Sequence, residues 1–230
     1  MSEDTSQHQR LNKHLALHIG ISRREADELI EKGSIAINGQ RATLGARFNE
    51  GDSITINGKP LDATAKHTYI LFNKPVGYVC SRKAQGDNPT IYDLLPEAYR
   101  AFKPVGRLDK DSSGLLLLSN DGDFAFRMTH PKFRKIKIYR VRLDHPLEPL
   151  HQQMISDFGV QLDDGISKFL VSRLDDTPTY EVSMNEGRNR QIRRTFAVLG
   201  YTVTYLHRTQ FGPYSLDMLD GKSYAPTQPL

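Results

Sequence analysis

Residues 106–118 read "GRLDKDSSGLLLL". The leucines Leu115–Leu118 run without interruption. A strand with one solvated face alternates apolar and polar side chains, so an unbroken apolar run bounded by turn residues predicts a buried strand. Charges crowd its mouth: Arg107, Asp109, Lys110 and Asp111 all precede the leucines. An aspartate in a turn ordinarily accepts hydrogen bonds from nearby backbone N–H groups. Asp111, followed by Ser112-Ser113-Gly114, suits that role. Asp109 has no turn residue beside it, which makes it the candidate for chemistry.

Outward from this strand the pattern is mixed. "NDGDFAFRMTH" (120–130) reads as a helix capped by Asn120 or Asp121, with Asp123 in its first turn. "TYILFNKPVGYVCS" (68–81) opens with a strand, and "KIKIYRVRL" (135–143) and "TYEVSMN" (179–185) read as strands. "RNRQIRRTFAVLG" (188–200) reads as a helix closed by Gly200. Strands and helices do not alternate strictly. An α+β domain with a mixed, mostly antiparallel sheet flanked by helices is expected.

The first sixty or so residues form a separate pattern. "RLNKHLALHIG" (10–20) has helical spacing through Leu11, Leu15 and Ile19. "SRREADELIEKG" (22–33) opens with a capping box, Ser22 with Glu25, and places Ala26, Leu29 and Ile30 on one face. "SIAING" (34–39) and "SITING" (53–58) are short alternating strands that end in Asn-Gly, a strong hairpin signal. The polar, proline-containing stretch 59–67 reads as a linker. The expected division is a flexible tail at 1–8, a small domain at 9–62, a linker at 63–67 and a second domain at 68–230.

Composition sets further bounds. Of 230 residues, 38% are apolar and 25% charged, as in soluble globular proteins. No apolar stretch approaches the roughly 18–20 residues that cross a bilayer, and the N-terminus lacks the hydrophobic core of a secretion signal. The single cysteine, Cys80, cannot form an internal disulfide, which favours a reducing, cytoplasmic setting. Net charge is only +4, but its distribution is uneven. Residues 127–142 hold Arg127, Lys132, Arg134, Lys135, Lys137, Arg140 and Arg142 with no acid. Two readings stand open for this stretch: a surface for a polyanion with stackable bases, or an exposed basic edge strand that resists aggregation.

Several chemistries lack their residues. There is no glycine-rich phosphate loop, no cysteine–histidine zinc spacing and no G-x-S-x-G elbow. His14 and His18 are spaced i, i+4 but have no evident third ligand, so no metal site is expected. In the helix 188–200, Ile192, Phe196 and Leu199 form an apolar stripe, Arg190 and Arg194 fall opposite it, and Arg193 lies on its flank. Pairing Arg193 with Asp109 would keep that carboxylate ionised in a partly dry cleft. Arg188, Arg190 and Arg194 read as solvated or phosphate-binding. Lys137 and Tyr139, two apart on a strand, share a face, which would place a cation beside an aromatic platform. The imperfect alternation there suggests a bulge or a strand leaving the sheet. A purely structural tyrosine at a sheet edge is the competing reading.

The stretch 10–42 resembles an S4 domain, a small (αL-type) RNA-binding module. The resemblance assigns RNA contacts to Lys13, Arg23, Arg24, Lys32 and Arg41. Taken in order, "LFNKPVGYVCS", "GRLDKDSSGLLLLSNDGD", "KIYRV" and "NEGRNRQIRR" resemble the RsuA family of RNA pseudouridine synthases over almost the whole chain. That resemblance implies that Asp109 is the essential aspartate, Tyr139 the tyrosine stacked on the target uracil, and Arg193 the basic partner of the aspartate. It makes Arg107 an arginine that holds the opened RNA and Leu199 an apolar residue near the pocket. With Lys137, Arg188 and Arg190, these form the expected substrate contacts. The implied reaction is isomerisation of uridine to pseudouridine in ribosomal RNA, the 23S type favoured over the 16S type, by a monomer needing neither cofactor nor metal. Asp109 would act as nucleophile, base or electrostatic stabiliser. The rival expectations are a non-catalytic RNA-binding or ribosome-assembly protein on the same fold, and a carboxylate-based nucleoside hydrolase.

Overall fold

The computed structural model describes residues 9–61, 67–82 and 86–230. The expected tail at 1–8 and all but His67 of the expected linker lie outside these. The chain separates into two compact units, one ending at His67 and one spanning Thr68–Leu230.

In the first unit, helices Leu11–His18 and Arg23–Glu31 pack over a four-stranded sheet. The capping box forms: the Glu25 backbone N–H donates to Ser22 Oγ at 3.1 Å, and the Ser22 N–H donates to the Glu25 carboxylate at 2.6 Å. Both Asn-Gly pairs make two-residue hairpin turns with positive φ throughout, Asn38 and Asn57 at 50° and Gly39 and Gly58 at 77°. Leu11, Leu15, Ala26 and Ile30 are buried as the periodicity requires. Ile19 is not, because the first helix stops at His18 and leaves Ile19 as its exposed cap. Lys59–Pro60, read as linker, is a short edge strand paired with Thr55 and Ile56. Proline is tolerated there because an edge leaves its missing N–H without a required partner.

The second unit is built on one nine-stranded sheet. Its main path runs Leu170–Arg173, Thr179–Met184, Lys137–Leu143, Val203–Phe211, Ser113–Ser119, Tyr69–Lys74, Tyr224–Thr227. Every neighbouring pair is antiparallel except Val203–Phe211 with Ser113–Ser119. The fold is therefore α+β with a mixed, mostly antiparallel sheet. The leucine strand explains its own composition: Leu116 and Leu118 enter one apolar cluster, and Leu115 and Leu117 enter another on the opposite face. Each is at most 1% exposed, and burial of such a side chain is worth about 2 kcal/mol.

The parallel joint is short. It consists of His207 opposite Ser113 and Arg208 opposite Gly114. A Cβ on Gly114 would lie 2.3 Å from the Arg208 carbonyl oxygen, and φ there is +104°. Only glycine lets these two strands approach. Beyond the joint, the same edge of the leucine strand is taken over by Lys103–Val105. The loop carrying Asp109 enters the sheet at this seam.

Candidate active site

The loop 107–112 is held from behind by the segment 74–80. Lys74 is fully buried, and its ammonium donates to the carbonyls of Pro75, Asp109 and Ser112 at 3.0, 3.0 and 2.7 Å. The Gly77 N–H donates to the Lys110 carbonyl at 2.7 Å. The Cys80 thiol donates to the Leu108 carbonyl at 3.3 Å. A buried cation satisfying three carbonyls fixes the loop backbone without touching its side chains. Burial lowers the Lys74 pKa, and the charges around it oppose that shift.

Asp109 so held faces a pocket of about 340 Å³. Tyr139, 7% exposed, lines it from the strand Lys137–Leu143. Lys137 lines it too, which matches the shared face expected of i and i+2. The anticipated bulge is present. Between Ile138 and Tyr139 the partner strand moves from Gln210 to Arg208, leaving Thr209 unpaired in the register. Arg107 is exposed at the mouth, while Leu206 and Ile192 supply apolar wall.

The arginines are arranged differently from the sequence-based expectation. Arg193 is not bonded to Asp109. Its side chain is 13% exposed and its Nε lies 3.4 Å from the Asp111 carboxylate. Its remaining nitrogens donate to the carbonyls of Val203 and Asp111, both at 2.8 Å. Arg190 keeps the solvent exposure expected of it, 44% of its side chain, but it is not free. It precedes the helix Gln191–Val198 in a left-handed conformation, φ 45°, which turns its side chain back toward the loop. There it grips Asp111 with both terminal nitrogens, at 3.0 and 2.9 Å, and stands 3.7 Å from Asp109. Asp111, expected as a turn residue, is thus the clasp between the loop and the helix. Partial burial would raise its pKa, but the Arg190 hydrogen bonds and the Arg193 and Arg190 charges outweigh that and hold it below the ordinary value.

Arg188 and Arg194 are also committed. Arg188 donates to the Asp164, Gly165 and Ile166 carbonyls and to the Asp164 carboxylate. Arg194 pairs with Asp163 and Asp164. Both tie the helix start to the hairpin Val160–Ser167. Leu199 packs against the core and does not line the pocket. In the first unit, Arg23, Arg24 and Lys32 are exposed and Lys13 is half-buried. Arg41 donates to the Glu31 carbonyl at 3.0 Å, closing the second helix.

Two pocket residues escaped the sequence reading. Arg208 is 2% exposed; its Nε donates to the Leu115 carbonyl at 2.8 Å, and its Nη2 is buried with no partner among the described residues. Glu186 accepts from Gln191 and lies 3.7 Å from Arg188. Arg208 shares parity with the buried Leu206 on its strand, and that core-facing slot is the signal that marks it. Lys137 and Arg208 both lie over the Phe211 ring, at 5.4 and 4.8 Å. Burial and the Arg208 charge lower the Lys137 pKa to about 8, against the opposing pull of Glu186. The pocket therefore combines a carboxylate, an aromatic ring and a cluster of cations, which suits a planar base joined to a phosphate-bearing sugar.

The comparisons with known proteins agree with this chemistry. Residues 68–198 match the RNA pseudouridylate synthase family, and residues 9–54 match the S4 domain. The chain is 36% identical over 213 residues to a ribosomal small subunit pseudouridine synthase A of Pasteurella multocida, covering 90% of each. It is 35% identical over 213 residues to a ribosomal large subunit pseudouridine synthase B of Bacillus subtilis, covering 88% of this chain and 85% of that one. A crystal structure of a pseudouridylate synthase superposes with a TM-score of 0.67 at 31% identity, covering 96% of both chains. The chain, with its leading S4 domain, belongs to the RNA pseudouridylate synthase family.

Proposed function

We propose that this protein converts a uridine of ribosomal RNA to pseudouridine in the pocket around Asp109. The N1–C1′ bond breaks, the uracil turns, C5 bonds to C1′, and the proton from C5 is replaced by one at N1. No atom or electron is gained overall. The target nucleotide leaves its stack to reach the pocket, at a cost of a few kcal/mol. Tyr139 receives the flipped base on its ring, and Arg107 at the mouth contacts the opened RNA.

The observation that supports this reading best is the convergence of Asp109 and Tyr139 on one pocket from separate elements. Asp109 is the essential carboxylate, aimed at the sugar as nucleophile, base or charge stabiliser. Arg193 acts on it through Asp111 and Arg190, which makes it a positioning residue. Arg23, Arg24, Lys32 and Lys13 supply phosphate contacts from the S4 domain, and the protein acts as a monomer. The forms "GLLLLSNDGDFAFRMTHP" and "EGRNRQIRR" favour large-subunit RNA as the substrate.

Pseudouridine mapping of both ribosomal RNAs, from cells with and without the gene, tests the assignment. Loss of one large-subunit pseudouridine supports it. Loss of a small-subunit pseudouridine moves the target, and no loss in either RNA favours a non-catalytic RNA-binding role.

A further inference from the structure

Beside the pocket stands a cluster of rings that the chemistry above does not use. Phe126 and Phe133 are 46% and 37% exposed. Their rings are perpendicular with centroids 5.7 Å apart, and the His130 ring lies 4.7 Å from Phe126. The Lys132 ammonium stands over both phenyl rings, at 5.0 and 4.8 Å. The backbone fixes this arrangement. Phe126 lies one turn before His130, the C-cap of the helix Gly122–Thr129, and the turn Pro131–Phe133 closes with Arg134 at φ 45°. Thr129 and Pro131, the covalent neighbours of His130 and Lys132, line the uridine pocket. The ring cluster is therefore the outer continuation of the pocket wall.

We propose that Phe126, His130, Phe133 and Lys132 form a second base-stacking site that takes an unpaired nucleotide flanking the target uridine. The proposal rests on the RNA-modifying function above. The charge around the rings selects the occupant. Besides Lys132, the same stretch of chain carries Arg127, Arg134 and Lys135, and no acid occurs between 127 and 142. A polyanion whose units each carry a planar face satisfies both the cations and the rings. Phe133 lies within about 7 Å of chain from Pro131, so an adjacent nucleotide reaches it while the target occupies the pocket. Extruding one nucleotide unstacks its neighbours, and a ring that receives one of them offsets part of that cost.

The test uses the full-length protein and single-stranded oligouridylate carrying 5-iodouridine. Ultraviolet crosslinking with peptide mapping is expected to give adducts at Phe126 or Phe133 as well as at Tyr139. Phe126→Leu/Phe133→Leu is expected to lower affinity about tenfold at an unchanged salt slope, because stacking carries no counterion. Phe133→Tyr, which keeps the ring, retains affinity, and Lys132→Gln flattens the salt slope by about 0.7. Both phenylalanines are exposed, and thermal unfolding of the double variant checks that it folds. Adducts confined to Tyr139, with wild-type affinity in the double variant, overturn the second site and leave the uridine pocket standing. Failure of the wild-type protein to bind any RNA overturns both. Unchanged RNA affinity with loss of a protein partner assigns the patch to protein docking and also overturns it.

Discussion

Asp109 and Asp111 are two residues apart and have opposite surroundings. Asp111 accepts from both terminal nitrogens of Arg190 and has the Arg193 Nε at 3.4 Å, while the Asp109 carboxylate stands 3.7 Å from Arg190, its one ion pair among the described residues. One acid is consumed in holding the loop to the helix, and the other is left facing the cavity. As candidates, Asp109 and Tyr139 stand out in the sequence because each breaks a local pattern, an acid with no turn role and a ring beside a cation, and both line the pocket. The Arg190 contact was not legible, because a helical projection assumes helical dihedrals and Arg190 is left-handed. Lys137 carries a pH prediction. Its pKa near 8 means that the free protein begins to lose this charge at mildly alkaline pH. RNA phosphate favours the charged form, so affinity is expected to weaken as pH rises through about 8. Lys137→Arg should remove that dependence, since guanidinium stays charged; binding isotherms across pH check both. Tyr139→Ala is expected to lower kcat more than RNA affinity, as read by single-turnover kinetics beside anisotropy.

At the scale of elements, the loop 107–112 is only as rigid as its brace. Lys74→Met removes the ammonium from the Pro75, Asp109 and Ser112 carbonyls and is expected to destabilise the protein by about 3 kcal/mol, measured by urea unfolding. The Asp111 clasp adds a pH dependence. Its folded pKa lies below the unfolded value, so its contribution is present above about pH 4 and is lost as pH falls through the folded value. Hydrogen-exchange protection of residues 108–112, referenced to the intrinsic rate at each pH, is expected to fall on acidification, and Asp111→Asn should remove that pH dependence. The leucine strand, the capping box and the Asn-Gly turns were readable because short-range periodicity and side-chain chemistry determine them. The parallel joint was not, because it depends on Gly114 meeting the Arg208 backbone across 94 positions of sequence. Nor was the edge strand at Lys59–Pro60, since proline in a polar stretch reads locally as linker.

At the scale of the molecule, two compact units with separate cores carry one activity. The S4 core is built from Leu11, Leu15, Ala26, Ile30 and their neighbours and shares no residue with the two clusters of Thr68–Leu230. Removal of residues 1–62 is therefore expected to leave a cooperatively folded remainder with weakened RNA affinity, by calorimetry and anisotropy. The meeting of Asp109 and Tyr139, from distant parts of the chain, at one cavity depends on the sheet order. The most direct test of the whole account is Asp109→Asn, assayed for pseudouridine formation and RNA binding in one preparation. Turnover should vanish while affinity stays within about threefold, because the carboxamide keeps the shape and loses the charge. Pseudouridine formed at the wild-type rate by this variant would contradict a mechanism centred on that carboxylate.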